Sequence, residues 1–460
     1  MPAQHSNHET FTSRLGFLML AAACAIGLGN VWRFPFITGK YGGGVFLGFY
    51  LLFLLAVLPV MIMEFAIGRA SKSSLGQSFY RLEPKKTFWH KFSSLTIIGS
   101  YLLMMFYTTV SGWMLKYCVD FATSNLITLN NTEISNHFGS MLASPINQIC
   151  YMTICIVICF TINAFGLRTS VERIVKWMML ALFALLIILV VRVLCLPNAT
   201  SGLWYLLWPD LDRFLAAKPF ELCNAAMSQA FFTLGIGIGV MVTIGSYYTK
   251  EKSLTGEALC VAGLDTLVAI LAGMLIFPAC FAYNINPDSG PGLIFITLPH
   301  VFSNMPQGQL WGSLFFLFMA FASFSTVIAV FETIIAYSND VFHMSRKKAS
   351  LIHAIFMILT SLPCCLGWST LSFVQPLGAN SCILDLEDFL VSSNILPLGA
   401  LLFCLFCSWR YGWGWNNFIQ ETNCGKGIKL PMWLRTYCSY ILPALIIIIM
   451  IFGYIDRFYK

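Results

Sequence analysis

Asp265 stands between Leu264 and Thr266 and breaks an otherwise uncharged run from 258 to 287. A carboxylate inside a membrane-length apolar segment is costly and points to a functional site by default; the alternative is an aspartate held by a nearby donor for structure alone. Hard cations take oxygen ligands, and by analogy so does sodium. Asn30 and Thr233 supply neutral oxygens beside two glycine-broken stretches, residues 23–33 (ACAIGLGNVWR) and 231–239 (FFTLGIGIG). Glycine weakens a helix, and glycines at alternate positions invite unwinding. Unwound backbone in lipid is tolerated only where protein or a wet cavity takes up its N–H and C=O groups. The N–H groups of Gly27-Leu28-Gly29 would then face a carboxylate at the positive end of a half-helix. The freed carbonyls of Ala23, Ala25, Ile26, Phe232 and Thr233 would face a cation or an ammonium. Together they describe a site for a zwitterion. Simple kinks at glycine packing faces would account for one such break; two at matched positions favour unwinding.

Other polar residues fall in the same apolar stretches. Ala322, Ser325 and Thr326 follow i, i+3, i+4 spacing and share a helix face, so two hydroxyls and a carbonyl could complete a second cation shell. Serine and threonine also bond their own helix carbonyls in membranes. Tyr107 lies one turn from Leu103, and a buried tyrosine hydroxyl needs a partner; a carboxylate serves, and aromatic packing is the alternative. Arg33 and Asp388 are each expensive in a membrane unless paired or wet. Glu64, Arg69, Glu332 and Asp340 fall at helix ends or within spans, as candidates for an inner gate and for packing.

The elements that must position these residues follow from composition. Hydrophobic residues make up 58% and charged residues 10%, which excludes an ordinary soluble domain. A bilayer core needs about 20 apolar residues per helix. Dividing the long apolar runs at proline and glycine clusters predicts about eleven helices, near 15–36, 45–69, 92–119, 146–166, 171–196, 219–248, 255–283, 307–340, 349–367, 388–410 and 432–456. Arg69, Lys72, Arg81, Lys85, Lys86 and Lys91 mark one inner loop, and Arg168, Arg173 and Lys176 the next. Lys250 with Lys252, Arg346 to Lys348, and Arg410 to Arg435 mark the others, whereas 120–145, 284–309 and 369–388 carry no lysine or arginine. This bias places the N-terminus inside and the C-terminus outside. Loop 192–218 is the exception, its basic residues balanced by Asp210 and Asp212. The net charge of +7 is this inner-loop bias and does not indicate nucleic-acid binding.

Residues 1–13 form a short polar tail and 14–460 a single transmembrane domain. The two breaks are five helices apart. An odd number of spans per unit inverts the second unit, so the expected architecture is two inverted five-helix repeats, about 14–196 and 219–410, with helices 1 and 6 unwound, plus an extra helix at 432–456. Loop 284–309, with Gly290-Pro291-Gly292, is expected to fold back toward the outer vestibule. The sixteen cysteines fall mostly within spans and read as packing residues, Cys404 and Cys407 included. No HExxH or GxSxG pattern occurs in the spans, which argues against an intramembrane enzyme. No organic cofactor is expected.

Taken together, these residues resemble the neurotransmitter:sodium symporter family, which has the leucine-transporter fold. The markers are residues 27–35 (GLGNVWRFP), Tyr41-Gly42-Gly43-Gly44, residues 64–69 (EFAIGR), Gln229-Ala230-Phe231-Phe232-Thr233, residues 264–269 (LDTLVA) and Gly290-Pro291-Gly292. They span nearly the whole chain, from Arg14-Leu15-Gly16 to the last helix. The resemblance implies sodium-coupled uptake of an amino acid by alternating access, with two sodium ions, across a plasma membrane such as the bacterial inner membrane. It implies a first sodium site from the Ala25 carbonyl, Asn30, Thr233, Asp265 and the substrate carboxylate. A second would use the carbonyls of Ala23, Ile26 and Ala322 with Ser325 and Thr326. The substrate carboxylate would meet the Leu28 and Gly29 N–H groups and the Tyr107 hydroxyl; its ammonium would meet the Ala25, Phe232 and Thr233 carbonyls. The side-chain pocket would be Leu103, Tyr107, Phe232, Gly235, Ile238, Thr326 and Val330. Tyr107 and Phe232 resemble the occluding lid, Arg33 with Asp388 the outer gate, and Tyr247 with Asp340 inner-gate positions.

The chain also departs from the family pattern. The N-terminal Arg-x-x-Trp that latches the inner gate reads His8-Glu9-Thr10-Phe11, so the arginine partner of Asp340 is missing. Eleven spans stand where many members have twelve, as in some bacterial members. The chloride-associated serine one turn beyond Asp265 is Ala269 here, with Asp265 supplying fixed negative charge, so transport is expected to be chloride-independent. Gly27 replaces the aspartate of the monoamine branch, so the substrate must bring its own carboxylate. Gly235 and Ile238 leave room for a hydrophobic or aromatic side chain. A proton-coupled amino-acid transporter of the same architecture is the alternative, and two complete sodium ligand sets count against it. A channel would need a continuous polar stripe, and only the midplane cluster is polar.

Overall fold

The computed structural model describes residues 10–127, 129–209, 212, 215, 219–283, 292–379 and 381–458. Among them the regular elements are all helices, and extended pairing is confined to two isolated bridges, Gly43 with Pro209 and Lys252 with Lys426. The helices that matter are α1 (Arg14–Ala25), α2 (Phe34–Lys40), α3 (Gly44–Ser71), α4 (Leu75–Leu82), α5 (Phe92–Ala122), α6 (Asn131–Ala143), α7 (Pro145–Ala164) and α8 (Glu172–Leu194). They continue with α9 (Ala199–Leu207), α10 (Pro219–Leu234), α11 (Val240–Ser246), α12 (Leu254–Ala282), α13 (Leu298–Asn304), α14 (Gly308–Phe342) and α15 (Arg346–Leu366). The last are α16 (Ile383–Leu390), α17 (Leu396–Ser408), α18 (Trp415–Thr422) and α19 (Leu442–Phe458).

Nine described helical segments are long and apolar enough to cross a membrane, and α1 with the segment Gly29–Lys40 makes a tenth, bent by 52°. The pair α10 and α11, interrupted across 235–239, lies where the remaining span is expected. The loops hold helices that apolar run length does not reveal. In loop 120–145, Asn130 caps α6: its side chain accepts from the Glu133 N–H at 3.0 Å, and the Glu133 carboxylate accepts from the Asn130 N–H at 2.8 Å. Residues 284–291 of the expected vestibule loop lie outside the described residues. The part that follows, Leu293–Thr297 and α13, packs its apolar side chains inward, and Tyr117 of α5 donates to the Phe295 carbonyl at 3.0 Å.

The helices fall into two groups by contact. In one, α10, α11 and α12 pack on α3; in the other, α5, α7, α14 and α15 pack on each other. Helix α1 touches α10, α11 and α12 of the first, α14 of the second, and α8, so the first break lies on the boundary between the groups.

The two breaks have different local causes. At the second, Gly235, Gly237 and Gly239 have φ of 58°, 100° and 73°, a left-handed backbone open to glycine at little cost. At the first, Ile26 turns extended (φ −77°, ψ 102°) and ends α1, and the chain resumes as a wide π-turn over Gly29–Arg33. Gly27 is needed there for close approach: a Cβ would lie 2.1 Å from the Tyr107 hydroxyl and 2.7 Å from Thr326 Oγ1.

Alanine at Gly237 would force a side chain onto a positive φ and set its Cβ 2.1 Å from the Leu396 carbonyl. We expect Gly237→Ala to cost about 1–3 kcal/mol, seen as a lower thermal midpoint in detergent. Gly48→Ala, where nothing lies within 4 Å of the added carbon, should keep or raise the midpoint.

Candidate functional site

Asp265 is fully buried on α12 and gathers donors from three other elements. Asn30, in the first break, donates from Nδ2 to Oδ1 at 2.8 Å and to the Asp265 carbonyl at 3.1 Å. Thr233, near the end of α10, donates to the two carboxylate oxygens at 3.0 and 3.1 Å. Tyr50 of α3 donates to Oδ2 at 3.1 Å. Asn30 turns its own oxygen to the Gly27 N–H, 3.0 Å away. The structure thus brings together Asn30, Thr233 and Asp265, named from sequence, and adds Tyr50. The available signal for Tyr50 was that it is the one hydroxyl in residues 45–63. The Asp265 carboxylate and the Thr233 hydroxyl meet at one point, hard oxygens of the kind that suit a hard cation, with the Asn30 amide beside them and its oxygen turned to Gly27.

Because the Gly27 N–H bonds Asn30, the Ala23 carbonyl loses its in-helix donor. Thr326 Oγ1 reaches it instead at 2.9 Å, with the Ile26 and Ala322 carbonyls each at 3.2 Å. Ser325 Oγ lies 3.0 Å from the Ala322 carbonyl. The three carbonyls and two hydroxyls of the second expected set therefore meet across the α1–α14 contact. Each hydroxyl also bonds a carbonyl one turn back in its own helix, the alternative already noted.

Between these clusters lies a small cavity of about 20 Å³, room for about one water. Leu103, Tyr107, Phe232, Gly235, Ile238, Thr326 and Val330 line it, with Ala25 and Gly29 from the first break. Gly27, expected to face a carboxylate, lines it too, as do Cys24 and Leu396, which were not anticipated. Leu28 and Thr233 do not line it; Leu28 takes part through its N–H, which donates to the Tyr107 hydroxyl at 2.9 Å. The lining is apolar on the α5 and α14 side and backbone-rich on the side of the breaks.

At the expected outer gate, Arg33 and Asp388 are linked through a serine. Arg33 stacks over the Phe232 ring, 4.8 Å from its centroid, and donates to Ser228 at 2.9 Å. Ser392 stands between Arg33 and Asp388: Arg33 reaches Ser392 Oγ at 3.5 Å, and Ser392 donates to Asp388 at 2.6 Å. Both charged residues line a larger cleft of about 400 Å³.

At the expected inner gate, Tyr247 and Asp340 bond different groups. Tyr247 donates to Glu332 at 2.8 Å, and Arg346 is paired with the same carboxylate. Asp340 accepts from the Ser74 N–H at 2.7 Å, and its carbonyl accepts from Gln77 at 2.6 Å, so it holds the start of α4. The tail is tied down by residues other than the missing arginine. Phe11 is buried edge-on against Phe17 and Tyr247, and its N–H reaches the Tyr247 carbonyl at 3.3 Å. The Glu172 carboxylate accepts from Thr12 N–H and Oγ1 at 2.9 and 2.6 Å and from Ser13 at 3.2 Å. Arg14 pairs with Glu257 at 3.0 Å, and Arg168 bonds Thr10. His8 and Glu9 lie outside the described residues. Glu64 accepts from the Gly237 N–H at 2.6 Å and so holds the second break, while Arg69 pairs with Glu421 at 2.7 Å.

Hydrogen bonds to a charged group contribute about 1.5–3 kcal/mol each, so losing one of the Glu172 bonds should raise local opening by about tenfold or more. Glu172→Ala is therefore expected to accelerate amide exchange in residues 10–16 and around Tyr247. Unchanged exchange there would contradict the latch.

The chain matches the model of the sodium:neurotransmitter symporter family over residues 8–138 and 136–458. It is 34% identical over 397 residues to an uncharacterized sodium-dependent transporter, YhdH, of Bacillus subtilis, covering 86% of each chain. It is 28% identical to the sodium-dependent serotonin transporter of Drosophila melanogaster, covering 97% of this chain and 76% of that one. The crystal structure of MhsT in complex with L-phenylalanine superposes with a TM-score of 0.86 at 34% identity, covering 97% of this chain and 99% of that one. The all-helical architecture, the fold match and the family match over nearly the whole length lead to one conclusion: the chain belongs to the sodium:neurotransmitter symporter family, and it is a sodium-dependent membrane transporter of the leucine-transporter fold.

Proposed function

We propose that this transporter carries a neutral, hydrophobic or aromatic L-amino acid into the cell together with two sodium ions, without chloride. The observation that carries this reading is the cavity itself, with backbone of both breaks on one side, an apolar wall on the other and Asp265 behind Asn30 and Thr233. The similarity to MhsT, solved with L-phenylalanine, supports an amino-acid substrate.

The substrate carboxylate enters between Leu28 and Tyr107, replacing the bond they make to each other and taking the Gly29 N–H as well. It also completes the first sodium site, with the Ala25 carbonyl, Asn30, Thr233 and Asp265. Its ammonium meets the Ala25, Phe232 and Thr233 carbonyls. Its side chain lies among Leu103, Tyr107, Phe232, Gly235, Ile238, Thr326 and Val330. The second sodium takes the Ala23, Ile26 and Ala322 carbonyls with Ser325 and Thr326. Sodium and substrate share the first site, so each raises the other's affinity. An inside-negative potential adds about 2.3 kcal/mol per charge per 100 mV to accumulation.

The groups holding α1, α3, α10, α11 and α12 and holding α5, α7, α14 and α15 rock against each other around the sites. Tyr107 and Phe232 act as the lid, and Arg33 with Asp388, through Ser392, as the outer gate. Glu332, Arg346 and Tyr247 with the tail act as the inner one, and Asp340 braces α4. The N-terminus is cytoplasmic and the C-terminus outside. Ala269 offers no hydroxyl for an anion one turn from Asp265, and the Asp265 carboxylate supplies the negative charge instead.

Uptake of apolar and aromatic amino acids into liposomes tests this reading. An inward sodium gradient should drive accumulation, and replacing chloride with gluconate should leave the rate unchanged. Uptake driven by a proton gradient and indifferent to sodium would overturn both cation sites, and a chloride requirement would sink the anion-independent part. Asp265→Ala should abolish sodium-dependent binding, whereas Arg33→Ala should preserve binding and weaken occlusion, seen as faster release of bound substrate.

A further inference from the structure

A cleft opens on the lysine- and arginine-rich face, where α17 ends and the last span begins. Ser408, Trp409, Arg410, Arg435, Ser439 and Tyr440 are among its lining residues, no acidic residue among those described lines it, and its volume is about 700 Å³. Elsewhere on that face several basic groups are neutralised: Arg69 and Lys250 share Glu421, Arg346 holds Glu332 and Arg14 holds Glu257. Arg410 stacks on the Tyr411 ring at 4.7 Å and donates to its hydroxyl at 2.6 Å. That contact leaves most of its five N–H donors for the cleft. Arg435 makes no ion pair or side-chain hydrogen bond with the described residues. Ser408 is 5% exposed, and its Oγ has no hydrogen-bond partner. Trp409 donates to the Ser439 carbonyl at 3.0 Å and fixes one wall.

The surroundings identify the ligand class. Trp433 and Tyr440 are 72% and 68% exposed, as expected of an aromatic belt at headgroup depth. Below them Ile441, Ile447 and Ile448 form an exposed apolar strip on the last span. Two guanidinium groups match phosphate oxygens in fork geometry, and basic pockets between spans on an inner face hold anionic headgroups. We propose that this cleft binds the phosphate headgroup of an anionic phospholipid, with its acyl chains along the isoleucine strip. The proposal is independent of which solute is carried.

Native mass spectrometry of the full chain, released from detergent with equal amounts of phosphatidylglycerol and phosphatidylcholine, tests it. Phosphatidylglycerol should be retained preferentially, and Arg410→Gln and Arg435→Gln should each cut its retention about fivefold, as expected for losing about 1 kcal/mol per cation near a membrane surface. Arg173→Gln, exposed and outside the cleft, should leave retention unchanged. Replacing both arginines with lysine should keep more lipid than replacing both with glutamine; a lysine pair as weak as the glutamine pair would overturn the role of charge. Equal retention of the two lipids, or full retention by the double glutamine variant, would overturn the site. Displacement of the lipid by millimolar inorganic phosphate would assign the cleft to a soluble anion and overturn the lipid.

Discussion

Backbone polar groups cannot be left bare inside a membrane, and the two helix breaks free several of them at mid-span. The structure answers this constraint group by group. Asn30 takes the Gly27 N–H, Tyr107 takes the Leu28 N–H, Thr326 takes the Ala23 carbonyl and Glu64 takes the Gly237 N–H. Gln229 donates to the Gly29 carbonyl at 2.9 Å. These satisfiers are also the residues that line or adjoin the proposed sites. A bound ion or zwitterion would exchange with them one for one, so binding replaces hydrogen bonds the protein already makes. Asp265 is the hub because its two oxygens hold α3, α10 and the first break together at once.

The same economy extends to the residues expected at the two gates. At one, Ser392 between Arg33 and Asp388 keeps two costly charges linked while Arg33 also covers Phe232. At the other, one buried carboxylate, Glu332, ties Tyr247 at the end of α11 to Arg346 at the start of α15, across the two helix groups. Glu172 does the same between the tail and α8. An alternating-access cycle would break the inner set when the outer one tightens.

How much of this was legible depends on what each residue's type costs by itself. Asp265, Asn30 and Thr233 stand out because polar groups in apolar runs need a reason, and Gly235, Gly237 and Gly239 because their alternation has little other use. Tyr50 does not stand out, since a tyrosine in an apolar helix reads equally well as packing. The first break was located correctly, but its cause is the extended turn at Ile26, with Gly27 kept small for Tyr107 and Thr326. The partners of the gate residues were not legible, because side-chain reach across helices depends on rotation and depth that spacing does not encode. Nothing in the sequence points to Ser392 between Arg33 and Asp388, or to Glu332 as the partner of Tyr247. The tail showed what it lacks, the family arginine, and gave no sign that Glu172 would serve instead.

The central claim is that ion and amino acid share one site around Asp265. Calorimetric titration of L-phenylalanine, or of whichever amino acid is taken up, into the purified protein at fixed ionic strength, with sodium exchanged stepwise for potassium, tests it most directly. A shared site predicts that amino-acid affinity rises with sodium and that the amino acid raises sodium affinity by the same factor. Amino-acid affinity indifferent to sodium would contradict it.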